Sequence, residues 1–155
     1  DYSPAHQAAL AKEEDTGGPA AAMVLPDGTL VTGKTSDLMG AAASLLLNAA
    51  KHMAGIPKQT YVVSSEALAP ICHLKTEHLR SRNPRLHSDE MLIALSLSSA
   101  TNPQAGEAVD ALDQLAGCDA YFSVIISEAD KSTYRNLGIN VCCEPKYERH
   151  GYYHR

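Results

Sequence analysis

Ala21-Ala22-Met23-Val24-Leu25-Pro26-Asp27-Gly28-Thr29-Leu30-Val31-Thr32-Gly33-Lys34-Thr35 is the stretch on which the reading of this chain turns. From Gly28 to Thr35 it fits the phosphate-binding pattern G-x-x-x-x-G-K-[ST] letter for letter. A phosphate cradle needs a buried strand before its first glycine and a glycine-rich turn after it, so that successive backbone N–H groups wrap the anion. Here Ala21 to Leu25 is apolar, Pro26-Asp27-Gly28 has hairpin-turn chemistry, and Thr29 to Thr32 alternates polar and apolar as a returning strand does. Gly28 therefore turns a hairpin. Leu30 and Val31 fall where a cradle would need free backbone.

The rest of the chain is compatible with one globular domain of 155 residues, long enough to bury about two-thirds of its unfolded surface without staples. Hydrophobic residues make up 45% and charged residues 20%, as in ordinary soluble domains. The net charge of −5 is spread along the chain without a Lys/Arg-rich run, which speaks against nucleic acid and anionic membranes as partners. No apolar stretch approaches the roughly 18 residues of a membrane span, and no signal-peptide layout is visible, so a cytoplasmic location is expected. Cys72, Cys118, Cys142 and Cys143 lack C-x-x-C spacing and are expected as buried free thiols, with Cys142 and Cys143 on opposite faces of a strand. The chain begins at Asp1 and reads as a fragment of a longer protein.

Ser3 and Pro4 open a short polar helix through about Glu14, and with a glycine-bearing linker it forms an N-terminal segment, 1–18. Thr35 or Ser36 is expected to cap an Ala-rich helix carrying Leu38, Met39, Leu45, Leu46 and Met53 until Gly55 and Pro57 stop it. Tyr61 to Val63 reads as a short core strand, Ser64-Ser65 as a cap, and Pro70 as a break in the helical stretch from Glu66 to Leu79. Met91 to Leu97 is apolar around nearly the whole circumference of a helix starting at Ser88, which predicts that it is sandwiched between other elements. Asn102-Pro103 starts another helix, Tyr121 to Ile126 is the strongest strand signal, Ser127 caps a helix, and Ile139 to Cys143 is the last strand. The expected fold is α/β: a mostly parallel small sheet with an N-terminal antiparallel hairpin and helices packed on it, over residues 19–145, followed by a polar tail, 146–155.

Several motifs in fixed order carry a resemblance. They are Leu25-Pro26-Asp27-Gly28, Thr32-Gly33-Lys34-Thr35-Ser36, Leu45-Leu46-Leu47-Asn48-Ala49, Asn83-Pro84-Arg85-Leu86-His87-Ser88-Asp89-Glu90, Ala100-Thr101-Asn102-Pro103, and Gly138-Ile139-Asn140 with Cys143-Glu144-Pro145. From about residue 10 nearly to its end, the chain resembles the C-terminal portion of a bacterial family, domain of unknown function 1846. The resemblance implies a longer protein whose upstream part has its own glycine-rich, P-loop-like segment and is the partner of this domain. It implies no activity that transfers residue by residue, and the chain has no H-E-x-x-H string.

The candidate chemistry rests on two stretches. Lys34, Thr35 and Ser36 are expected at a helix N-terminus, where free N–H groups and the macrodipole favour an anion; equally, Thr35 or Ser36 serves as a plain cap. Asn83 to Glu90 is the densest polar cluster. In it Arg85 is suited to grip a phosphate or carboxylate with Asn83 beside it, His87 to move protons, and Asp89 or Glu90 to orient His87. The same residues also compose a helix-capping cluster with Ser88 as N-cap and two carboxylates on the dipole. No metal is expected. His73 and His78 are five apart, and His150 and His154 sit in the tail with Tyr152 and Tyr153. Cofactor, substrate and reaction stay open. The two classes that remain are a domain supplying an anion or phosphate site shared with the upstream part, and a non-catalytic structural or homo-oligomerisation domain.

Overall fold

The computed structural model describes residues 2–148, and the tail histidines and tyrosines lie outside them. Helix α1 (Ser3–Thr16) precedes the hairpin strands β1 (Ala20–Val24) and β2 (Leu30–Lys34). Then come α2 (Ala41–Met53), α3 (Ser65–His73) with a π turn at Leu74–His78, α4 (Ser88–Ser98) and α5 (Pro103–Ala111) with a 3₁₀ turn at Leu112–Leu115. Strand β3 (Asp119–Phe122), α6 (Glu128–Asn136) and β4 (Asn140–Cys143) complete the described chain. The strands form one mixed sheet in the order β2-β1-β3-β4. β1 is antiparallel to both β2 and β3, and β3 is parallel to β4 across α6.

The hairpin pairs Val24 with Leu30, Met23 with Val31 and Ala22 with Thr32. Its turn is made by local chemistry: the Gly28 N–H donates to the Leu25 carbonyl, the Thr29 N–H to the Asp27 carboxylate, and Gly28 takes a φ of 85°. A residue without Cβ enters this left-handed region at no steric cost. Gly28→Val is expected to lower stability by roughly 1 kcal/mol or more. An unchanged melting temperature would count against this role of the turn. Residues 30–34 run extended in the edge strand β2, so their N–H groups point alternately to either side and do not wrap one point as a phosphate cradle must. The P-loop-like string is a hairpin.

Alternation along the strands sorts the sheet into two faces. Ala22, Tyr121 and Cys142 face α1, where Ala5 and Ala9 are fully buried. Ala21, Met23, Ala120, Phe122 and Cys143 face the larger core under α2, α4, α5 and α6. All four cysteines are free, and the adjacent pair divides between the two faces as alternation requires. α1 is thus a layer of the fold, tied further by Lys146 Nζ to Glu13 Oε1 at 2.6 Å.

Several local expectations need correction. Tyr61–Val63 forms no strand: Tyr61 is exposed, Val62 and Val63 pack under the α5 start, and Ser64 caps α3 at once. The parallel part of the sheet is accordingly confined to β3–β4. Pro70 sits inside α3 without breaking it, and the irregularity comes a turn later in the π segment. α2 starts at Gly40 rather than at Thr35 or Ser36, because the Ser36 hydroxyl accepts from the Leu38 and Met39 N–H groups and holds a separate turn. Met39 then bridges to Leu86. Among the described residues α4 is covered on one side only: Met91, Ala94 and Leu95 are buried, but Ile93 and Leu97 remain 60% and 71% exposed. No helix among the described residues is long and apolar enough to cross a membrane.

Candidate functional site

Three helix N-termini meet beyond the ends of β2 and β3. Gly40 is the N-cap of α2, His87 of α4 and Ser127 of α6. A cavity of about 30 Å³ lies between them, reached by Thr35, Asn83, His87, Ala42, Asp130 and Glu148 among others. Such a volume holds one or two water-sized groups.

The loop before α4 is held by reciprocal bonds. Asn83 is buried; its carbonyl oxygen accepts from the Arg85 N–H at 3.0 Å, and its amide nitrogen lies 3.2 Å from His87 Nε2. Glu90 turns back to accept the His87 N–H at 2.7 Å, the acidic half of a capping box. Its Oε1 also takes Lys75 Nζ at 2.7 Å and lies 3.4 Å from His87 Nδ1. Lys75, whose side chain is 7% exposed, donates as well to the Arg85 carbonyl at 2.5 Å. Burial alone would raise the Glu90 pKa, but the hydrogen bonds from His87 and Lys75 outweigh it and hold the carboxyl at about 2. The same bond to Glu90 raises the His87 pKa against the opposing effect of burial.

Asp130 reaches across from α6. Its Oδ1 accepts the Ser88 N–H at 2.8 Å and the Ser88 hydroxyl at 2.6 Å, and its Oδ2 takes the Ser127 hydroxyl at 3.2 Å. The dipole ends of α4 and α6 are therefore answered by carboxylate and hydroxyl groups of the chain itself. α2 differs. It opens with Gly40-Ala41-Ala42-Ala43, with no side-chain cap and no acidic residue in its first turn, and all three alanines are buried. Burial raises the Glu148 pKa, with the Arg85 charge pulling the other way.

Of the sequence candidates, the structure brings Thr35, Asn83 and His87 to this cavity. Arg85 does not line it; its Nε donates to the Ser36 carbonyl at 2.6 Å. Ser36 is exposed in its own turn, and Lys34 is exposed at the end of β2, so neither lies at a helix N-terminus. Glu90 supports the loop from behind, and exposed Asp89 bonds the Glu90 N–H. The His87, Asp89 and Glu90 ligand atoms lie within 4.8 Å of one another, a spacing that suits a cation, but Glu90 is already committed to Lys75. Lys75 and Asp130 were missed by sequence reasoning. Their roles here are not local: Lys75 reaches Glu90 fifteen residues on, and Asp130, locally no more than the partner of the Ser127 cap, reaches Ser88 42 residues away.

A UPF0371 protein of Corynebacterium efficiens is 51% identical over 147 residues, which is 95% of this chain and 30% of that protein. A UPF0371 protein of Streptococcus thermophilus is 50% identical over 141 residues, 91% of this chain and 28% of that protein. The chain thus spans about 30% of the length of the curated relatives it matches. The family described as domain of unknown function DUF1846, C-terminal, matches residues 1–153, and the chain belongs to it.

Proposed function

We propose that this domain supplies one wall of a site for the terminal oxygens of an anionic, phosphate-like ligand, the rest of the site belonging to the upstream part of the longer protein. The observation that carries the reading is the first turn of α2, buried, uncapped and opening on a cavity beside Thr35, Asn83 and His87. The first N–H groups of a helix have no partner within it, and at a buried end they favour negative charge. The Glu90 bond raises the His87 pKa, so an anion that displaces the Asn83 amide from Nε2 would meet a ring more readily protonated, while Asp130 spends its charge on Ser88 and burial favours the protonated form of Glu148. The cavity seats a terminal group and not a whole metabolite, which is why the upstream part is needed. His87 would exchange a proton with such a ligand at Nε2, where the Asn83 amide must give way to it, while Glu90 orients the ring from the Nδ1 side. A cytoplasmic setting fits the proposal.

Titrating inorganic phosphate into the full-length protein checks it. His87→Gln is expected to weaken binding by roughly ten- to a hundredfold, the worth of one charge-assisted contact, and Lys34→Ala by less than about twofold. Absence of saturable binding, or equal affinity in wild type and His87→Gln, sinks the reading. The second reading, a non-catalytic domain that docks on the upstream part or on other copies, is favoured by the exposed Ile93 and Leu97 on α4.

A further inference from the structure

At the other end of α2 a cleft of about 200 Å³ opens between the helix and β2. Lys51, His52, Asn48 and Lys58 supply its polar end, and Leu30, Val31 and Ile56 its apolar wall. Lys51 is the unusual member. It is only 6% exposed, yet among the described residues it forms no ion pair; its Nζ donates to the Lys58 carbonyl at 2.8 Å. A buried ammonium without a counter-ion is costly, and such groups are ordinarily paired.

Closing the helix does not require it. The carbonyls of Ala50, Lys51 and His52 already receive the N–H groups of Ala54, Ile56 and Gly55. Burial and the nearby Lys58 charge lower the Lys51 pKa, which is the response of a cation held beside a second cation with no anion between them. His52 is turned to Asp27 at 2.9 Å, so the Asp27 charge is spent away from Lys51. The Asn48 amide nitrogen is fixed on the Thr32 carbonyl at 2.9 Å.

We infer that this cleft binds a small organic carboxylate, its charged end between Lys51 and Lys58 and its short apolar body against Leu30, Val31 and Ile56. The site is separate from the cavity at the α2 N-terminus, about 13 Å away along the helix at 1.5 Å per residue. The apolar wall and the half-exposed Leu30 at its rim select against a bare inorganic anion.

The test is calorimetric titration of the full-length protein with straight-chain carboxylates from acetate to hexanoate, and with inorganic phosphate as a second arm. Affinity is expected to rise about fourfold per methylene until the wall is covered. Lys51→Met is expected to abolish this binding while keeping or raising the melting temperature, because an apolar chain of similar length replaces an unpaired buried charge. Lys58→Gln, on an exposed side chain, is expected to weaken it about tenfold without affecting folding. Phosphate binding that is lost in Lys51→Met, no chain-length dependence, or carboxylate binding untouched by both variants would overturn the inference. A drop in melting temperature for Lys51→Met with no carboxylate binding in the wild type would do the same, leaving Lys51 as a strut between α2 and the loop at Lys58.

Discussion

Gly33→Ala is expected to destabilise the domain by about 3 kcal/mol or more, and Gly33→Val to prevent the hairpin from seating on α2 at all. A Cβ at Gly33 would stand 2.3 Å from the Leu45 nitrogen, 2.6 Å from its Cα and 2.9 Å from its Cβ. These are mostly backbone atoms inside a helix and cannot swing aside as the end of a side chain does. β2 or α2 must move, and Leu45, Leu46 and Ala49 on that helix are fully buried. Denaturant unfolding of the variant checks the prediction, and a midpoint within error of wild type would refute the close approach. The second glycine of the P-loop-like string is thus explained by helix-on-strand packing, as the first is by a turn.

Glu90→Ala is expected to cost about 3–5 kcal/mol, because it leaves the Lys75 ammonium buried without its carboxylate and the His87 N–H without its acceptor. For a domain of this size that is a fall of roughly 6–20 °C in melting temperature. Adding Lys75→Met is expected to recover much of the loss by removing the stranded charge, whereas two independent surface sites would show additive costs. The pH dependence follows from the same bonds. Glu90 titrates at about 2 in the fold against 4.5 as its ordinary value, so its contribution is present above 4.5 and lost as pH falls toward 2. The difference corresponds to on the order of 3 kcal/mol. His87, raised from 6.5, acts in the opposite sense: its contribution is full below 6.5 and is lost as pH rises through the higher folded value. The pair therefore stabilises most between about 4.5 and 6.5. Melting curves across pH check this, and in Glu90→Ala the acid limb attributable to the pair should vanish.

Much of the architecture could be read from local patterns. Asp27-Gly28 between two apolar runs, Asn102-Pro103, Ser64 and Ser127 each act through neighbours within a few residues, and each does in the fold what its chemistry requires. The start of α2 was misplaced for an equally local reason: Ser36 caps a turn and not the helix, and both uses of a serine hydroxyl look alike in sequence. The apolar circumference of α4 predicts burial on all sides, but its outer face has no cover among the described residues.

The candidate site divides along the same line. Asn83, His87 and Glu90 were legible because they lie in one loop and first turn, and their mutual bonds span no more than four residues. Residue order alone determined the hairpin, the caps of α3, α5 and α6, the alternation that splits Cys142 from Cys143, and the polar cluster before α4, whereas α1 and α4 are capped at Tyr2 and His87 and not at the expected Ser3 and Ser88. Tertiary structure alone decided that α1 covers one face of a mixed sheet, that Lys75 and Asp130 complete the cluster, that Lys34 stays outside it, and that Lys51 is buried with no counter-ion among the described residues. The reason is range: caps and turns are settled by hydrogen bonds between near neighbours, whereas burial and charge pairing depend on which distant segments the packed core brings together.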